Sequence, residues 1–381
     1  MYLSAEHPLV SGSTAESLLV RALRGVRAET TPVWFMRQAG RSLPEYRALR
    51  KTNGMLEACL NPELASEITL QPVRRHKVDA GIFFSDIVVP LKLVGLGVDI
   101  VAGRGPVFDA PADSAAALAR ITSIDPLELL ERADEVRRGI ELSVAMLGEE
   151  SAVRGDPIPL IGFAGAPFTL AAYIVEGGPS KDHFAARRLQ REDPVAWAEL
   201  MAWTADVTGA FLSVQVEAGA SAAQLFDSWA GSLSRTTYRD HSKWASRRAL
   251  EAVRRWEVPG ADEGNATVPV IHFGVGTGEL LADMADIGAD TLGVDYRITL
   301  TDAAARIGKR LPLQGNLDPA ELFSPEDSLK AEVNRILEDG RAAPSHVFNL
   351  GHGVPQEADP DVLTQVVEWV HEWRAAPEAR A

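Results

Sequence analysis

The sequence predicts an α/β protein that folds as a single (β/α)8 barrel, the TIM-barrel architecture, over residues 1–381. Two observations predict it: short apolar runs alternate with helical patterns eight times, and no change in composition marks a linker. The runs are almost continuously apolar, which is typical of parallel strands buried on both faces. A doubly wound sheet is the alternative, and the unbroken alternation favours the barrel. The predicted strands are Val33–Met36, Ala80–Phe84, Ile158–Phe163, Ala222–Phe226, Val268–Phe273, Thr291–Val294, Pro312–Gln314 and Val347–Leu350.

The segments between these strands carry the marks of helices. Apolar residues recur at steps of three and four from Leu129 to Leu147 and from Leu363 to Trp373, which places one apolar stripe on each helix. Five Asn-Pro or Asp-Pro pairs put an N-capping side chain before a proline suited to the first helical turn. They are Asn61-Pro62, Asp125-Pro126, Asp193-Pro194, Asp318-Pro319 and Asp359-Pro360.

The strand spacing is uneven in one place. About 70 residues separate strands two and three, and the stretch VDIVAGRGPVFDAPA at 98–112 predicts an inserted loop or hairpin there. The chain ends, about 1–12 and 375–381, are expected to be frayed.

Composition limits the class of protein. With 46% hydrophobic and 24% charged residues, the chain can bury a core, and its net charge of −15 argues against nucleic acid or anionic membrane as a partner. Cys59 is the one cysteine, which excludes an intrachain disulfide and favours a reducing cytoplasm. Residues 157–175 carry no charge and could span a bilayer, but their prolines and glycines favour a strand, a turn and a helix.

Polar residues follow the predicted strands, where a barrel places its chemistry. Arg37–Arg41 follow the first strand, Asp86 the second, Ser228 the fourth and His352 the eighth, while the turn after the third leads to Tyr173. Between Arg21 and Lys51 lie eight basic and two acidic residues. Because a guanidinium group binds carboxylate or phosphate through two parallel hydrogen bonds, the arginines of this turn suggest a substrate with several anionic groups.

Each of these residues also has an ordinary structural interpretation. The arginines before position 30 suit a solvated helix face, and Asp86 at the end of GIFFS suits an arginine partner or a helix cap as well as a catalytic carboxylate. His352, between two glycines, suits a base, a hydrogen-bond donor or a structural residue. Tyr173 and Ser228 alone are unremarkable.

Two long motifs carry a family resemblance. PVWFMRQAGRSLPEYR at Pro32–Arg47 and GFAGAPFTLAAYIVEGG at Gly162–Gly178 resemble the signatures of the uroporphyrinogen decarboxylase family. Shorter supporting stretches are FSDIVVP, QLFDSWAG, HFGVGTG, LQGNLDP and FNLGHGV. Two departures accompany them: Ser42 stands where an aromatic residue is often found, and Trp229 replaces a usually smaller or more polar residue.

The resemblance implies a single barrel, usually a homodimer, that removes carbon dioxide from the four acetate arms of uroporphyrinogen III to give coproporphyrinogen III in haem biosynthesis. It implies no cofactor and no metal. It assigns Asp86 to the pyrrole N–H groups at the centre of the macrocycle, with Arg37 and Asp86 as the catalytic residues. It assigns the substrate carboxylates to Arg37 and Arg41 with the backbone of Gln38, Ala39 and Gly40, and it completes the pocket with Tyr173, Ser228 and His352.

Two other functions compete with this one. A corrinoid-linked methyltransferase on a related barrel needs zinc held by histidine and cysteine, and Cys59 lies in a predicted helix far in sequence from His352. A tetrapyrrole carrier without catalysis would share the arginines but would release no carbon dioxide. Incubation with uroporphyrinogen separates these three functions.

Overall fold

A curled parallel sheet organises the molecule. The computed structural model describes residues 1–101, 103–110, 112 and 114–374. Within them, seven parallel strands pair in the order β1-β4-β5-β6-β7-β8-β9, so each strand from β4 onward lies beside the next one in sequence. The strands are β1 (Gly81–Ile82), β4 (Leu160–Gly165), β5 (Ala222–Asp227), β6 (Val270–Gly274), β7 (Thr291–Gly293), β8 (Leu313–Leu317) and β9 (His346–Leu350). Their positions confirm seven of the eight predicted strands.

The predicted first strand, Val33–Met36, is wrong as a regular strand. Val33 forms one parallel bridge to Phe348, and its carbonyl accepts a hydrogen bond from Asp79 N at 2.8 Å, so this segment touches both edges of the sheet. The backbone N–H groups of residues 33, 35 and 36 donate to side-chain oxygens of Asp79, Gln38 and Asn349. These side chains take the place of a strand ladder.

A separate antiparallel pair lies in the long segment after β1. Its strands are β2 (Val98–Val101) and β3 (Gly105–Phe108), paired from Val98 opposite Phe108 to Val101 opposite Gly105. Phe108 N donates to Gly177 O at 3.4 Å, which places this pair beside the end of the helix that follows β4.

Helices cover the outside of the sheet. The stretch at 157–175 is confirmed as a strand, a turn and a helix, and no described helix combines the length and apolar character that a bilayer crossing requires. The α-helices are α1 (Leu18–Leu23), α2 (Pro44–Leu49), α3 (Met55–Cys59), α4 (Pro62–His76), α5 (Val89–Leu93), α6 (Ala115–Thr122), α7 (Glu128–Glu131), α8 (Asp134–Arg154), α9 (Pro167–Glu176), α10 (Phe184–Glu192), α11 (Pro194–Glu217), α12 (Arg235–His241), α13 (Lys243–Arg254), α14 (Leu281–Met284), α15 (Leu300–Arg306), α16 (Glu326–Asp339) and α17 (Pro360–Glu372). Short 3₁₀ turns lie at Ala230–Ser232, Glu263–Asn265, Pro319–Phe323 and Gly340–Ala342.

The amino-terminal residues 1–12, predicted from the sequence to be frayed, contact the core of the structure. Leu3 and Leu9 are buried, and Leu3 N donates to Glu257 O at 3.0 Å. Their apolar side chains pack on the core. The other predicted frayed end, 375–381, lies outside the described residues.

The interior of the sheet contains a chain of polar side chains. Trp34 Nε1 donates to Gln314 Oε1, and Gln314 Nε2 donates to Gln224 Oε1, both at 3.0 Å. All three side chains are buried, so these bonds satisfy groups that water cannot reach. They join β5, β8 and the segment at Val33.

Candidate active site

Asp86 lies four residues beyond β1, at the carboxyl end of the sheet, and the residue is half-buried. Its Oδ1 accepts a hydrogen bond from Val88 N at 3.1 Å. Burial raises the pKa of Asp86 above its ordinary value, while the Val88 N–H and the charge of Arg37 act in the opposite direction. The site therefore holds a carboxylate whose ionised form is poorly solvated, with a cation in electrostatic reach.

Arg37 lies in a tight turn that other residues hold in place. Its φ of 61° is in the left-handed region, where a residue with a side chain is uncommon. A Cβ on Gly40 would come within 2.7 Å of Arg37 O, so the turn requires glycine at position 40. The Arg37 side chain crosses Gly353, where an added Cβ would overlap its Cδ. The side chain itself is exposed and free to meet a ligand.

Gln38 has a structural task in this turn. Its Oε1 accepts from Phe35 N, and its Nε2 donates to Ala80 O, both at 3.0 Å. The side chain is fully buried, so only the backbone of Gln38 is left for the predicted contact with substrate. Ala39 and Gly40 are half-buried beside it.

Arg41 is the least connected of the predicted residues. Its side chain is exposed, and its carbonyl accepts from Arg47 Nη1 at 2.8 Å. No hydrogen bond or ion pair among the described residues joins its guanidinium group to the other predicted site residues. Its closeness to the site follows from its position in the same turn as Arg37.

Tyr173 forms one wall with Trp229. Their rings stack with centroids 3.8 Å apart, and the His183 ring lies 4.2 Å from Trp229 on a tilted plane. Burial raises the pKa of Tyr173 to about 12, and the negative charge of Asp86 adds to the effect. The phenol therefore stays protonated and lies within electrostatic reach of Asp86. Ser228 is half-buried next to Trp229.

Behind this wall, Thr169 joins α9 to the end of β5. Its Oγ1 donates to Asp227 Oδ1 at 3.2 Å and accepts from Trp229 N at 3.3 Å. Asp227 Oδ2 lies 3.5 Å from His272 Nε2, and both side chains are fully buried. Sequence analysis assigned no role to Thr169 or His272, because the contacts that connect them run between elements far apart in the chain.

His352 lies in the turn after β9. Burial lowers its pKa, and the positive charges of Arg37 and Arg297 lower it further. The ring is therefore neutral at pH 7. Arg297 is a residue that the site prediction missed, although it follows β7 as the predicted residues follow their strands. Its guanidinium group pairs with Asp295 and lies 4.4 Å from the centre of the Tyr296 ring.

Arg37 connects the predicted residues electrostatically, since its charge acts on the pKa of Asp86, Tyr173 and His352. Three separate elements, β1, α9 and the turn after β9, thus deliver side chains to one place. A carboxylate, a guanidinium group and a phenol thus lie within electrostatic reach of one another.

The chain as a whole was compared with known proteins. A family model described as uroporphyrinogen decarboxylase (URO-D) matches residues 14–373. The chain belongs to the uroporphyrinogen decarboxylase family. It is 58% identical over 380 residues to a protein named uroporphyrinogen decarboxylase from Leifsonia xyli subsp. xyli, covering 98% of this chain and 99% of that one. It is 54% identical over 365 residues to a protein of the same name from Arthrobacter sp. strain FB24, covering 95% and 99%.

A solved structure shows the same fold. A methyltransferase from Methanosarcina mazei superposes with a TM-score of 0.71 at 19% identity, covering 93% of this chain and 98% of that one. At that identity the likeness extends to the fold alone. Among the described residues of this uroporphyrinogen decarboxylase family member, no three His, Cys, Asp or Glu side chains are grouped as a metal site requires. Cys59 is buried, which raises the pKa of its thiol and disfavours the thiolate that binds zinc.

Proposed function

We propose that this protein removes carbon dioxide from the four acetate arms of uroporphyrinogen III and yields coproporphyrinogen III, a step of haem biosynthesis. The observation that carries the proposal is the half-buried residue Asp86 with Arg37 in electrostatic reach, in a chain belonging to this family. The names of the relatives, and the nearly full length over which they align with this chain, support it. The reaction needs an electron acceptor, and the site has to bind the acidic arms.

The substrate's own pyrrole ring serves as the electron acceptor. Protonation of a ring carbon gives an iminium-like cation, and loss of carbon dioxide sends the bonding electron pair of the arm into that cation. The resulting exocyclic methylene takes a proton and becomes a methyl group, and the ring carbon then releases its added proton. One proton is consumed for each carbon dioxide released.

Asp86 stabilises the cation that this path creates. An ionised carboxylate against the pyrrole N–H groups opposes the positive charge that develops on the ring. At about 4 Å and an effective dielectric constant of about 20, opposite unit charges attract by about 4 kcal/mol, equal to about three powers of ten in rate. Because burial already destabilises the free carboxylate of Asp86, a cation in the cavity gains more from it than it would in water.

The remaining residues bind and orient the arms. Arg37 and Arg41, with the backbone of Gln38, Ala39 and Gly40, bind carboxylates, and Arg37 is also a candidate for relaying a proton. A guanidinium group is a very weak acid, so the main role of Arg37 is as a clamp. Tyr173 donates a hydrogen bond from its protonated phenol, and Ser228 and neutral His352 complete the pocket.

The architecture that accompanies this proposal is an eight-stranded barrel forming a single domain over residues 1–381. The segment at Val33 would close it, since Pro32 O and Trp34 N bond to Phe348 and Val33 O accepts from Asp79 N, and the β2–β3 pair would be its inserted hairpin. We also propose that the protein is a homodimer, which light scattering of the purified protein tests, and that it acts in the cytoplasm.

The deciding experiment treats the purified protein with a chelator and incubates it with uroporphyrinogen under reducing conditions. Carbon dioxide release is followed together with the number of carboxylates remaining on the macrocycle. The expected result is stepwise loss of four carboxylates. Binding without release would indicate a carrier, and activity that depends on added metal would contradict the mechanism above.

A further inference from the structure

A cavity lies outside the site described above. It has a volume of about 430 Å³ and lies between α10 and the segment that leads from the 3₁₀ turn at Ala230–Ser232 into α12. Three of its lining residues are arginines, and among the described lining residues none carries a carboxylate. They are Phe184, Arg187, Arg188, Arg191, Ser232, Leu233, Ser234 and Thr237.

Two of these arginines have no acidic partner among the described residues. Arg187 Nε is buried and has no hydrogen-bond acceptor, while its Nη1 lies 3.5 Å from Ser232 O. Arg191 donates from Nη1 to Arg187 O at 2.6 Å, as their spacing of one helical turn allows. Arg188, by contrast, pairs with Glu192 at 3.1 Å. The cavity therefore holds positive charge and hydrogen-bond donors that the protein itself does not satisfy.

The opposite wall adds hydroxyl groups. The Oγ of Ser234 and the Oγ1 of Thr237 lie 2.8 Å apart, and both residues line the cavity. Hydroxyl and guanidinium groups together suit carboxylate or phosphate oxygens. In a chain of net charge −15, such a local positive region concentrates anions that the rest of the surface repels.

The cavity adjoins the active site through Trp229. His183, directly before α10, packs on the Trp229 ring, and Ser232 Oγ donates to Trp229 O at 2.9 Å. The same indole ring stacks on Tyr173. The arginine cavity and the proposed active site are thus connected by one aromatic residue and a three-residue turn.

We propose that this arginine cavity binds carboxylate arms of the tetrapyrrole outside the reaction site, as a docking site on its way in or out. The inference rests on the proposed function for the identity of the ligand. Four successive decarboxylations give intermediates that are still polyanionic, and an overall acidic enzyme repels each of them. A positive cavity next to the active site counteracts that repulsion.

The kinetic test replaces Arg187 and Arg191 together by glutamine. The matched control is Arg248→Gln with Arg335→Gln, which removes the same charge from exposed arginines on α13 and α16. At low salt we expect kcat/KM for uroporphyrinogen to fall about tenfold in the first variant, with kcat held within twofold and a weaker dependence on salt. A fall no larger than in the control would overturn the proposal.

A binding test separates this inference from the proposed function. Calorimetric titrations of the whole chain use benzenehexacarboxylate and inorganic phosphate as probes, in an Arg37→Gln background that weakens the main clamp. The proposal expects the hexacarboxylate to bind and the Arg187/Arg191 substitutions to abolish binding. Binding of phosphate at equal affinity, or hexacarboxylate binding that persists without these arginines, would contradict it. If no carbon dioxide is released by the wild type, the proposed function fails, while these titrations still report on the cavity.

Discussion

The indole ring of Trp229 stacks on the phenol ring of Tyr173, with centroids 3.8 Å apart and planes inclined by 21°. The hydroxyl of Thr169 fixes this arrangement, since it accepts from Trp229 N and donates to the buried Asp227. The charges of Asp86 and Arg37 in turn act on the pKa of Tyr173. A buried threonine that bonds to the backbone of Trp229 thus sets the position of a wall of the proposed active site.

Thr169→Val tests this connection. The change preserves shape but removes the hydroxyl, leaving Asp227 Oδ1 and Trp229 N without it, so we expect kcat/KM to fall about five- to tenfold. The expected loss of stability is about 1–3 kcal/mol. Thr204→Val is the control, because Thr204 is equally buried but bonds to carbonyls within α11. If both variants keep wild-type kcat/KM, Thr169 does not position Trp229.

Replacing Asp86 by asparagine separates function from stability. The amide keeps the shape of the side chain but removes the charge that opposes the pyrrole cation, so turnover is expected to fall by about three powers of ten. At pH 7 the same change is expected to raise the melting temperature, because burial disfavours the ionised carboxylate. Near-normal turnover would remove the electrostatic role from Asp86.

The pH dependence of stability tests independently whether ionisation of Asp86 destabilises the folded state. The pKa of Asp86 is higher in the folded chain than in the unfolded chain, so the folded state binds the proton more tightly. The contribution of Asp86 to the free energy of unfolding is therefore fully present below the pKa that this residue has in the unfolded chain. It is lost as the pH rises through the pKa that it has in the folded chain. The difference in melting temperature between Asp86→Asn and wild type should grow over that range. The control is Asp240→Asn, which makes the same change at an exposed residue.

A methyl group at Gly353 should disturb Arg37 without disturbing the fold. An added Cβ would overlap the Cδ of Arg37, so the Gly353→Ala variant is expected to displace the guanidinium group and raise KM for uroporphyrinogen at least tenfold. Gly148→Ala is the matched control, since nothing lies within 4 Å of a Cβ there. That control should keep its KM and gain about 0.5–1 kcal/mol of stability within α8. Equal KM values for Gly353→Ala and Gly148→Ala would contradict the expectation that a Cβ at residue 353 displaces Arg37.

The sequence was informative about the strands for a physical reason. Seven strands are buried on both faces, so their apolar character shows directly in the residues. The segment at Val33 looked the same, but its N–H groups bind side-chain oxygens of Asp79 and Asn349, which are 46 and 313 residues from their donors. Partners at such separations leave no local pattern.

The same limit applies to the site. Arg37, Asp86 and His352 stand directly after apolar runs, and this position indicated them. Arg297 follows a strand too, but lacked a motif to distinguish it. His183 gave no signal, because its contact with Trp229 depends on how the start of α10 packs against the turn after β5. The local sequence pattern thus indicates the end of the sheet at which the proposed site lies, and tertiary packing decides which side chains meet there.

Two substitutions of Arg37 separate the effect of its positive charge from the effect of its planar guanidinium geometry. Arg37→Lys keeps the positive charge and the aliphatic stem over Gly353 but loses the planar fork, so we expect KM for uroporphyrinogen to rise about tenfold or more. Arg37→Gln loses the charge as well. Arg74→Lys, at an exposed arginine paired with Glu67, is the control and should leave KM unchanged.

The acidic limb of the pH–rate profile distinguishes the two variants. The charge of Arg37 lowers the pKa of Asp86 against the larger effect of burial, so its removal raises that pKa further. Because the ionised carboxylate is the active form, the limb of kcat/KM in Arg37→Gln should move to higher pH, and the limb in Arg37→Lys should stay near that of wild type. If the limb does not respond to either substitution, the carboxylate that limits turnover is not the one beside Arg37.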